Sequence, residues 1–223
     1  MKVHKECIPC FARQGAEAAL AYAPDDPVLQ QEVLRTVLRI SAEADHQKSP
    51  PEIAAEYFRA IVKLTGVADP HAEAKRNSNE EVLKLLPQLR KEVAESFHPL
   101  ETAVRMAIAG NIIDFGTPHG QKGNYLLDVI GHAVEADMCM DSFAVFGQRA
   151  KEAKLILYLG DNCGEAVLDR LLIEQLPTEK VVYAVRGKPI LNDITPVEVP
   201  RVGIDQVCRV GDNGSDAPGT VLE

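Results

Sequence analysis

The sequence predicts an α/β protein in which an N-terminal helical bundle is followed by a three-layer α/β part with a mainly parallel sheet. Two observations support this prediction. In roughly the first 110 residues, apolar side chains recur three or four positions apart, which is typical of amphipathic helices. Later, short continuous apolar runs flank one amphipathic segment, which is typical of a strand–helix–strand unit. We therefore expect a helical region, 1–110, and an α/β metal-binding region, 111–223.

Five helices are predicted in the helical region, and they begin near residues 7, 27, 50, 69 and 99. Pro27 and the pair Pro50-Pro51 suit the first turn of a helix, where the missing amide proton costs nothing. The pair Thr65-Gly66 predicts the end of the third helix. Pro87 lies inside the fourth, more charged helix and predicts a kink or a break there.

The α/β region contains a strand, a helix and a second strand within about 30 residues. The strands are predicted in "AKLILYLGD" (153–161) and "EKVVYAVRGKP" (179–189), and the helix between them covers residues 164–176. A shorter strand is predicted in "DQVCRVGDNG" (205–214). Because a strand–helix–strand crossover joins parallel strands, we expect a parallel sheet.

Composition restricts the partners of the protein. The net charge is -9, from 33 acidic against 24 basic residues, which argues against nucleic acid or an anionic membrane as the main partner. No apolar stretch reaches the roughly 18 residues of a membrane span, and the N-terminus lacks the apolar core of a signal peptide. The five cysteines show no disulfide-framework spacing. We therefore expect a soluble, cytoplasmic protein. The sequence does not specify its oligomeric state.

Polar residues occupy the corners where the first two predicted strands end. The first corner carries Asp161 and Asn162, and the second carries Arg186, Lys188, Asn192 and Asp193. Because the carboxyl ends of neighbouring parallel strands meet at one edge of a sheet, the two corners should lie within a few ångströms of each other. Carboxylate and amide oxygens suit Mg²⁺ or Mn²⁺, and the cationic side chains suit a phosphate. The alternative is that Asp161 or Asn162 only caps the following helix.

Three segments resemble motifs of the damage-control phosphatase family, formerly domain of unknown function eighty-nine. They are "GNIIDFG" (110–116), "LGDNCGEAVLDRLL" (159–172) and "VRGKPILNDIT" (185–195). The N-terminal "CIPCF" (7–11) resembles the Cys-x-x-Cys of the prokaryotic branch of that family. The resemblance covers almost the whole chain in the same order. It implies a helical N-terminal part, an α/β part and metal-dependent hydrolysis of small phosphorylated metabolites.

The resemblance also implies roles for particular residues. The family's metal ligands, an Asp-Asn pair and a later Asp, fall on Asp161, Asn162 and Asp193, and its segment near phosphate and metal falls on Asn111 and Asp114. We expect Mn²⁺ or Mg²⁺, with Co²⁺ or Ni²⁺ as alternatives. Asp161, Asp193 and Lys188 are the predicted catalytic residues. The predicted substrate-binding residues are Asn111, Asp114, Glu165, Arg186 and Asn192.

The family usually continues beyond the position of Pro218-Gly219-Thr220 into a strand with a Lys-Gly segment that completes the phosphate pocket. The present sequence ends at Glu223, so the resemblance implies a C-terminally incomplete α/β region.

Two functions are compatible with these residues. The first is a metal-dependent phosphatase for sugar phosphates or related phosphomonoesters, in which the metal activates a water molecule and Lys188 offsets charge on the phosphate. Direct attack by Asp161 is an alternative, but phosphatases of the haloacid-dehalogenase type use Asp-x-Asp, and position 163 here is Cys. The second function is non-catalytic binding of a nucleotide or sugar phosphate.

The N-terminal His4, Cys7 and Cys10 have three interpretations. They are two reduced cysteines packed at the start of a helix, part of a metal site that needs a fourth ligand, or a redox pair without the usual preceding strand. Cys163, which follows the Asp-Asn pair, is interpreted as a small packing residue.

Overall fold

The computed structural model describes residues 1–112 and 123–221, which form nine α-helices and three β-strands. The helices are α1 (Cys7–Tyr22), α2 (Pro27–Ala42), α3 (Pro50–Thr65), α4 (Ala72–Glu95), α5 (Pro99–Ile112), α6 (Gly123–Glu135), α7 (Met140–Glu152), α8 (Glu165–Ile173) and α9 (Val199–Val202). The strands are β1 (Ile156–Leu159), β2 (Val181–Val185) and β3 (Arg209–Asp212). The predicted order, helices first and an α/β arrangement afterwards, is confirmed. No helix in these two ranges combines the length and the apolar character that a membrane crossing requires.

Local signals fix the predicted ends of α2 and α3. Asp26 lies before α2, and its carboxylate accepts hydrogen bonds from the amides of Val28 and Leu29, both at 3.0 Å. At the start of α3, the carboxylate of Glu52 accepts hydrogen bonds from the amide and the hydroxyl of Ser49, both at 2.6 Å. α3 ends at Gly66, whose φ of 73° lies in the left-handed region that favours glycine.

Helix α4 runs without interruption through Pro87, so the predicted alternative of a break there is wrong. Proline removes one helical hydrogen bond and crowds the preceding turn, which disfavours a helix interior. Burial of apolar side chains on both sides of the proline offsets that cost. These side chains are Val82, Leu86, Leu89 and Val93.

The three strands form one parallel sheet in the order β1–β2–β3. Ile156 lies opposite Val181, and Val182 lies opposite Arg209. Helix α8 connects β1 to β2, and the predicted strand–helix–strand unit is therefore confirmed. On β1, Leu157 and Leu159 are 62% and 58% exposed, so no second helical layer covers these two side chains within the described residues.

The chain forms two compact units. The first contains residues 1–71, 189–191 and the segment from Ser215 onwards, and its core includes Phe11, Val33, Tyr57, Phe58 and Ile61. The second contains Ala72–Lys188 and Asn192–Gly214, and its core includes Leu89, Met106, Leu168, Leu171 and Tyr183. Helices α4 and α5 thus share a unit with the sheet. The predicted regions 1–110 and 111–223 are defined by secondary-structure content, and they stay a prediction.

Candidate functional site

The two strand-end corners of the second unit are hydrogen-bonded to each other. Asn162, after β1, and Asp193, in the segment after β2, form an isolated antiparallel β-bridge. Beside it, the amide of Ile194 donates to the carbonyl oxygen of Asp161 at 2.7 Å. The backbone therefore fixes three polar residues of the two corners against one another.

The carboxylates of both corners contact one guanidinium group. Arg186 Nε donates to Asp193 Oδ2 at 2.6 Å, and Arg186 Nη2 lies 3.5 Å from Asp161 Oδ1. The Asp193 and Arg186 side chains are nearly buried, whereas that of Asp161 is 45% exposed. Burial, together with the charge of Asp161, raises the pKa of Asp193 to about 6, although Arg186 opposes the shift. Two converging carboxylates at one partly open corner favour a cation.

The side-chain amide of Asn162 is oriented by two carboxylates. Its Nδ2 donates to Asp161 Oδ2 at 3.4 Å and to Glu165 Oε2 at 3.2 Å. Among the described residues, nothing donates to its Oδ1, which leaves that oxygen available to a ligand. Asn111, at the end of α5, donates from Nδ2 to both oxygens of Glu165 at 3.3 Å. Glu165 thus connects the first corner to α5, and burial raises its pKa.

Two glycines permit this arrangement. Gly164 lies at the start of α8 with φ 87° and ψ -57°, a conformation that other residues rarely adopt. Gly110 lets α5 approach α8, because a Cβ there would lie 3.1 Å from Leu168 Cδ1. The residue at the N-cap position of α8 is Gly164, so neither Asp161 nor Asn162 occupies the position from which a side chain usually caps a helix.

Other predicted site residues lie differently. Lys188 is exposed and makes no hydrogen bond or ion pair within residues 1–112 and 123–221. Asn192 is half-buried, and its carbonyl oxygen accepts from the amide of Cys163 at 2.9 Å. Asp114 lies outside the described residues. Cys163 is fully buried, and burial raises the pKa of its thiol to about 12, as expected for a packing residue.

The described residues contain no group of three or more His, Cys, Asp or Glu side chains that could hold a metal ion. This applies to the N-terminal segment, where Cys7 and Cys10 are free thiols and the amide of His4 donates to Cys7 Sγ at 3.4 Å. A metal at the strand-end corners would accordingly have two carboxylates and the amide oxygen of Asn162 as protein ligands. Water molecules would complete such a site.

Comparison with known proteins identifies the family of this chain. The sequence model of the damage-control phosphatase ARMT1-like domain matches residues 3–223. The chain belongs to this family.

Two relatives carry the family's activity in their names. This member is 28% identical to the damage-control phosphatase PH1575 of Pyrococcus horikoshii over 100% of its own length and 77% of the relative. It is 27% identical to a damage-control phosphatase of Archaeoglobus fulgidus, over 100% of its own length and 78% of the relative.

The fold of this chain matches the crystal structure of a DUF89 family protein (PH1575) from Pyrococcus horikoshii with a TM-score of 0.86 and 26% identity. That match covers 97% of this chain and 75% of the other. The resemblance to the damage-control phosphatase family and the expected α/β fold are confirmed.

Helix α4 of this damage-control phosphatase family member contributes residues that the sequence analysis did not identify. Asn79 Oδ1 accepts from the amide of Gly164 at 2.7 Å. The Lys75 ammonium lies 3.0 Å from Glu198 Oε1, and the other oxygen of Glu198 accepts from the backbone and hydroxyl of Thr195. Lys75 and Asn79 occur at helical spacing on the same buried stripe as the apolar residues of α4. Polar residues within an apolar stripe were the signal that could have identified them.

A second buried polar cluster lies between α8 and the sheet. Asp169 is almost fully buried and accepts hydrogen bonds from the hydroxyls of Tyr158, at 2.5 Å, and Tyr183, at 2.8 Å. Burial is the largest cause that raises the pKa of Asp169 to about 7, and the nearby Glu165 adds to it. The folded state therefore favours the protonated carboxyl.

This shift predicts a pH dependence of stability. Because the folded pKa of Asp169 exceeds the usual value of about 3.9, the folded state binds more protons between roughly pH 4 and pH 7. The contribution of Asp169 to the free energy of unfolding should fall as pH rises through that window, by on the order of 2–4 kcal/mol. Urea unfolding of the wild type and of Asp169→Asn at several pH values measures it. We expect the difference between the two proteins to change with pH, and a constant difference would contradict the prediction.

Proposed function

We propose that this protein is a metal-dependent phosphatase that hydrolyses small phosphorylated metabolites, sugar phosphates or related phosphomonoesters. One structural observation carries the proposal, namely the convergence of the Asp161 and Asp193 carboxylates at one partly open corner. The relatives named damage-control phosphatases support the same reaction class. Their name also favours damaged metabolites as the substrate class.

The donor atoms of the corner fit a hard divalent cation. Asp161, Asp193 and the Oδ1 atom of Asn162 would hold it, because carboxylate and amide oxygens are the ligands that Mg²⁺ and Mn²⁺ prefer. Co²⁺ and Ni²⁺ are the alternatives. When bound, such a cation would polarise a phosphate oxygen and make water a better nucleophile.

The cationic side chains suit the phosphate group of the substrate. Arg186 presents a planar set of donors that matches phosphate oxygens, and it now neutralises Asp161 and Asp193. A cation in the corner would take over that neutralising role and leave guanidinium donors for the phosphate. Lys188, which lies two residues later and is exposed, would offset further negative charge on the phosphate. Asn111, Glu165 and Asn192 would contact the rest of the substrate.

Hydrolysis of p-nitrophenyl phosphate tests the proposal. The protein should release p-nitrophenol in the presence of Mn²⁺, Mg²⁺, Co²⁺ or Ni²⁺ and should lose this activity in excess chelator. Binding of sugar phosphates without turnover would instead support the non-catalytic alternative. Activity that persists unchanged after complete chelation would exclude the metal-dependent mechanism.

The N-terminal cysteine pair is expected to take no part in this chemistry. Cys7 and Cys10 lie on α1 in the first unit, whereas Asp161 and Asp193 belong to the second. The double substitution Cys7→Ser with Cys10→Ser should leave kcat/KM for p-nitrophenyl phosphate within roughly twofold of the wild type, in line with the small effects of changes away from functional groups. Metal analysis of the purified proteins provides the complementary measurement. Stoichiometric zinc that the double variant loses would show that the pair is a structural metal site instead.

A further inference from the structure

We propose that helix α4 positions both metal-binding corners, through Asn79 on one side and the Lys75–Glu198 pair on the other, and thereby sets the metal affinity. The inference rests on the proposed function for the identity of the site. It goes beyond that function because the segments that resemble the family's motifs (7–11, 110–116, 159–172 and 185–195) contain none of these three residues. Asn79, Lys75 and Glu198 are positioning residues, since their described contacts are with the segments that carry the ligands.

Asn79 holds the first corner. The asparagine is fully buried, and its Oδ1 accepts the amide proton of Gly164 at 2.7 Å. Gly164 follows Asp161, Asn162 and Cys163 directly and has the unusual backbone conformation that starts α8. A hydrogen bond at this amide therefore restricts the turn on which two of the three proposed ligands depend.

Lys75 and Glu198 hold the second corner. The Lys75 side chain is fully buried, and its ammonium lies 3.0 Å from Glu198 Oε1. Glu198 Oε2 accepts from the amide of Thr195 at 2.9 Å and from its hydroxyl at 2.6 Å. Thr195 lies two residues after Asp193, so the ion pair restricts the segment that carries the third ligand. Lys75 and Asn79 are four residues apart and share one face of α4.

The environment of Asn79 argues that stability alone does not explain its presence. Its Nδ2 is buried beside the thiol of Cys163, a weak acceptor, and makes no hydrogen bond of normal geometry to a described residue. A buried donor without a good acceptor opposes folding. The orientation of the Asn79 side-chain amide is nevertheless fixed, because the backbone N–H of Gly164 needs Asn79 Oδ1 as its acceptor. The carbonyl oxygen of Asn79 thus serves the backbone of the first corner, which is the positioning role that we propose for it.

Metal affinity is the property that this arrangement should control. Groups that orient metal ligands without touching the metal typically change affinity or activity 10–100-fold when they are removed. Asn79→Ala should accordingly weaken Mn²⁺ binding by about 10-fold or more, because the first corner loses its fixed turn. With excess metal, kcat should recover most of its wild-type value while the metal concentration for half-maximal activity rises.

The experiment measures Mn²⁺ affinity by titration calorimetry, and it measures amide hydrogen exchange over residues 159–168 without metal. Asn77→Ala is the matched control, since Asn77 lies on the same helix and is not among the residues that bond to either corner. Asn79→Asp keeps an acceptor for Gly164 and should restore slow exchange and most of the affinity. Thr195→Val, which removes one of the two hydrogen bonds from Thr195 to Glu198, tests the second corner and should weaken Mn²⁺ binding by up to about 10-fold, the lower limit of such effects.

The outcomes separate the inference from the proposed function. If the wild type binds none of Mn²⁺, Mg²⁺, Co²⁺ and Ni²⁺, the proposed metal-dependent function fails, and hydrogen exchange alone decides whether Asn79 restrains the corner. If the wild type binds Mn²⁺ but Asn79→Ala matches Asn77→Ala in affinity and exchange, the inference is overturned. Equal weakening by Asn79→Ala and Asn79→Asp would also overturn it, because the acceptor oxygen would then be irrelevant. If Asn79→Ala does not fold, Asn79→Asp and Thr195→Val still decide the result.

Discussion

Asp161→Asn and Asp193→Asn are each expected to reduce metal-stimulated turnover at least ~100-fold, since stabilisation by a bound metal contributes several kcal/mol. Both changes preserve the shape of the side chain and remove its negative charge, so the divalent cation would lose a charged ligand. The fold should persist, because the backbone hydrogen bonds between the corners do not involve these carboxylates and an asparagine oxygen at position 193 can still accept from Arg186. Steady-state kinetics with p-nitrophenyl phosphate over a range of Mn²⁺ concentrations measures the loss.

Asp205→Asn provides the matched control for the same chemical change. Asp205 is exposed in the second unit and is not among the residues that bond to the corners, so this variant should keep wild-type kinetics. Wild-type activity in either Asp161→Asn or Asp193→Asn would eliminate the metal assignment. Loss of activity in all three variants would indicate a general effect on the protein.

The sequence predicted the parts of the fold that depend on local chemistry. Helices α2 and α3 begin at prolines, and α3 ends at Gly66. These ends depend on backbone geometry within a single turn. The parallel arrangement of β1 and β2 follows from two short apolar strands with one helix between them. Such a unit joins parallel strands by a right-handed crossover. The same topology explains why the meeting of the two corners could be anticipated from residues 161 and 193 alone.

Features that depend on distant contacts were not predicted. The hydrogen bond from Gly164 to Asn79 joins residues 85 positions apart, and no local pattern specifies such a partner. The continuous helix through Pro87 depends likewise on burial of its apolar neighbours, which is a tertiary effect. The pairing of Arg186 with Asp161 and Asp193 was likewise not predicted, because it depends on how the two corners meet. The predicted contact of Arg186 with a phosphate stays a prediction.

The buried ion pair of α4 gives the second large effect that we expect. Lys75→Met should lower the free energy of unfolding by about 3–5 kcal/mol, since removal of one partner leaves the other as an uncompensated buried charge. Lys75 is 0% exposed and Glu198 only 11%, so water cannot replace the lost ammonium. Urea unfolding of the metal-free protein at neutral pH measures the change.

Two further variants distinguish the buried charge from a loss of packing. Lys84→Met removes the exposed ion pair with Glu81, and such surface pairs contribute about 0–1 kcal/mol, so this variant should unfold nearly as the wild type does. The double variant Lys75→Met with Glu198→Gln removes both charges of the buried pair and should recover part of the lost stability, because no unpaired charge remains. A double variant that is less stable than Lys75→Met would contradict this account, since the loss would then come from the contacts of Glu198 with Thr195.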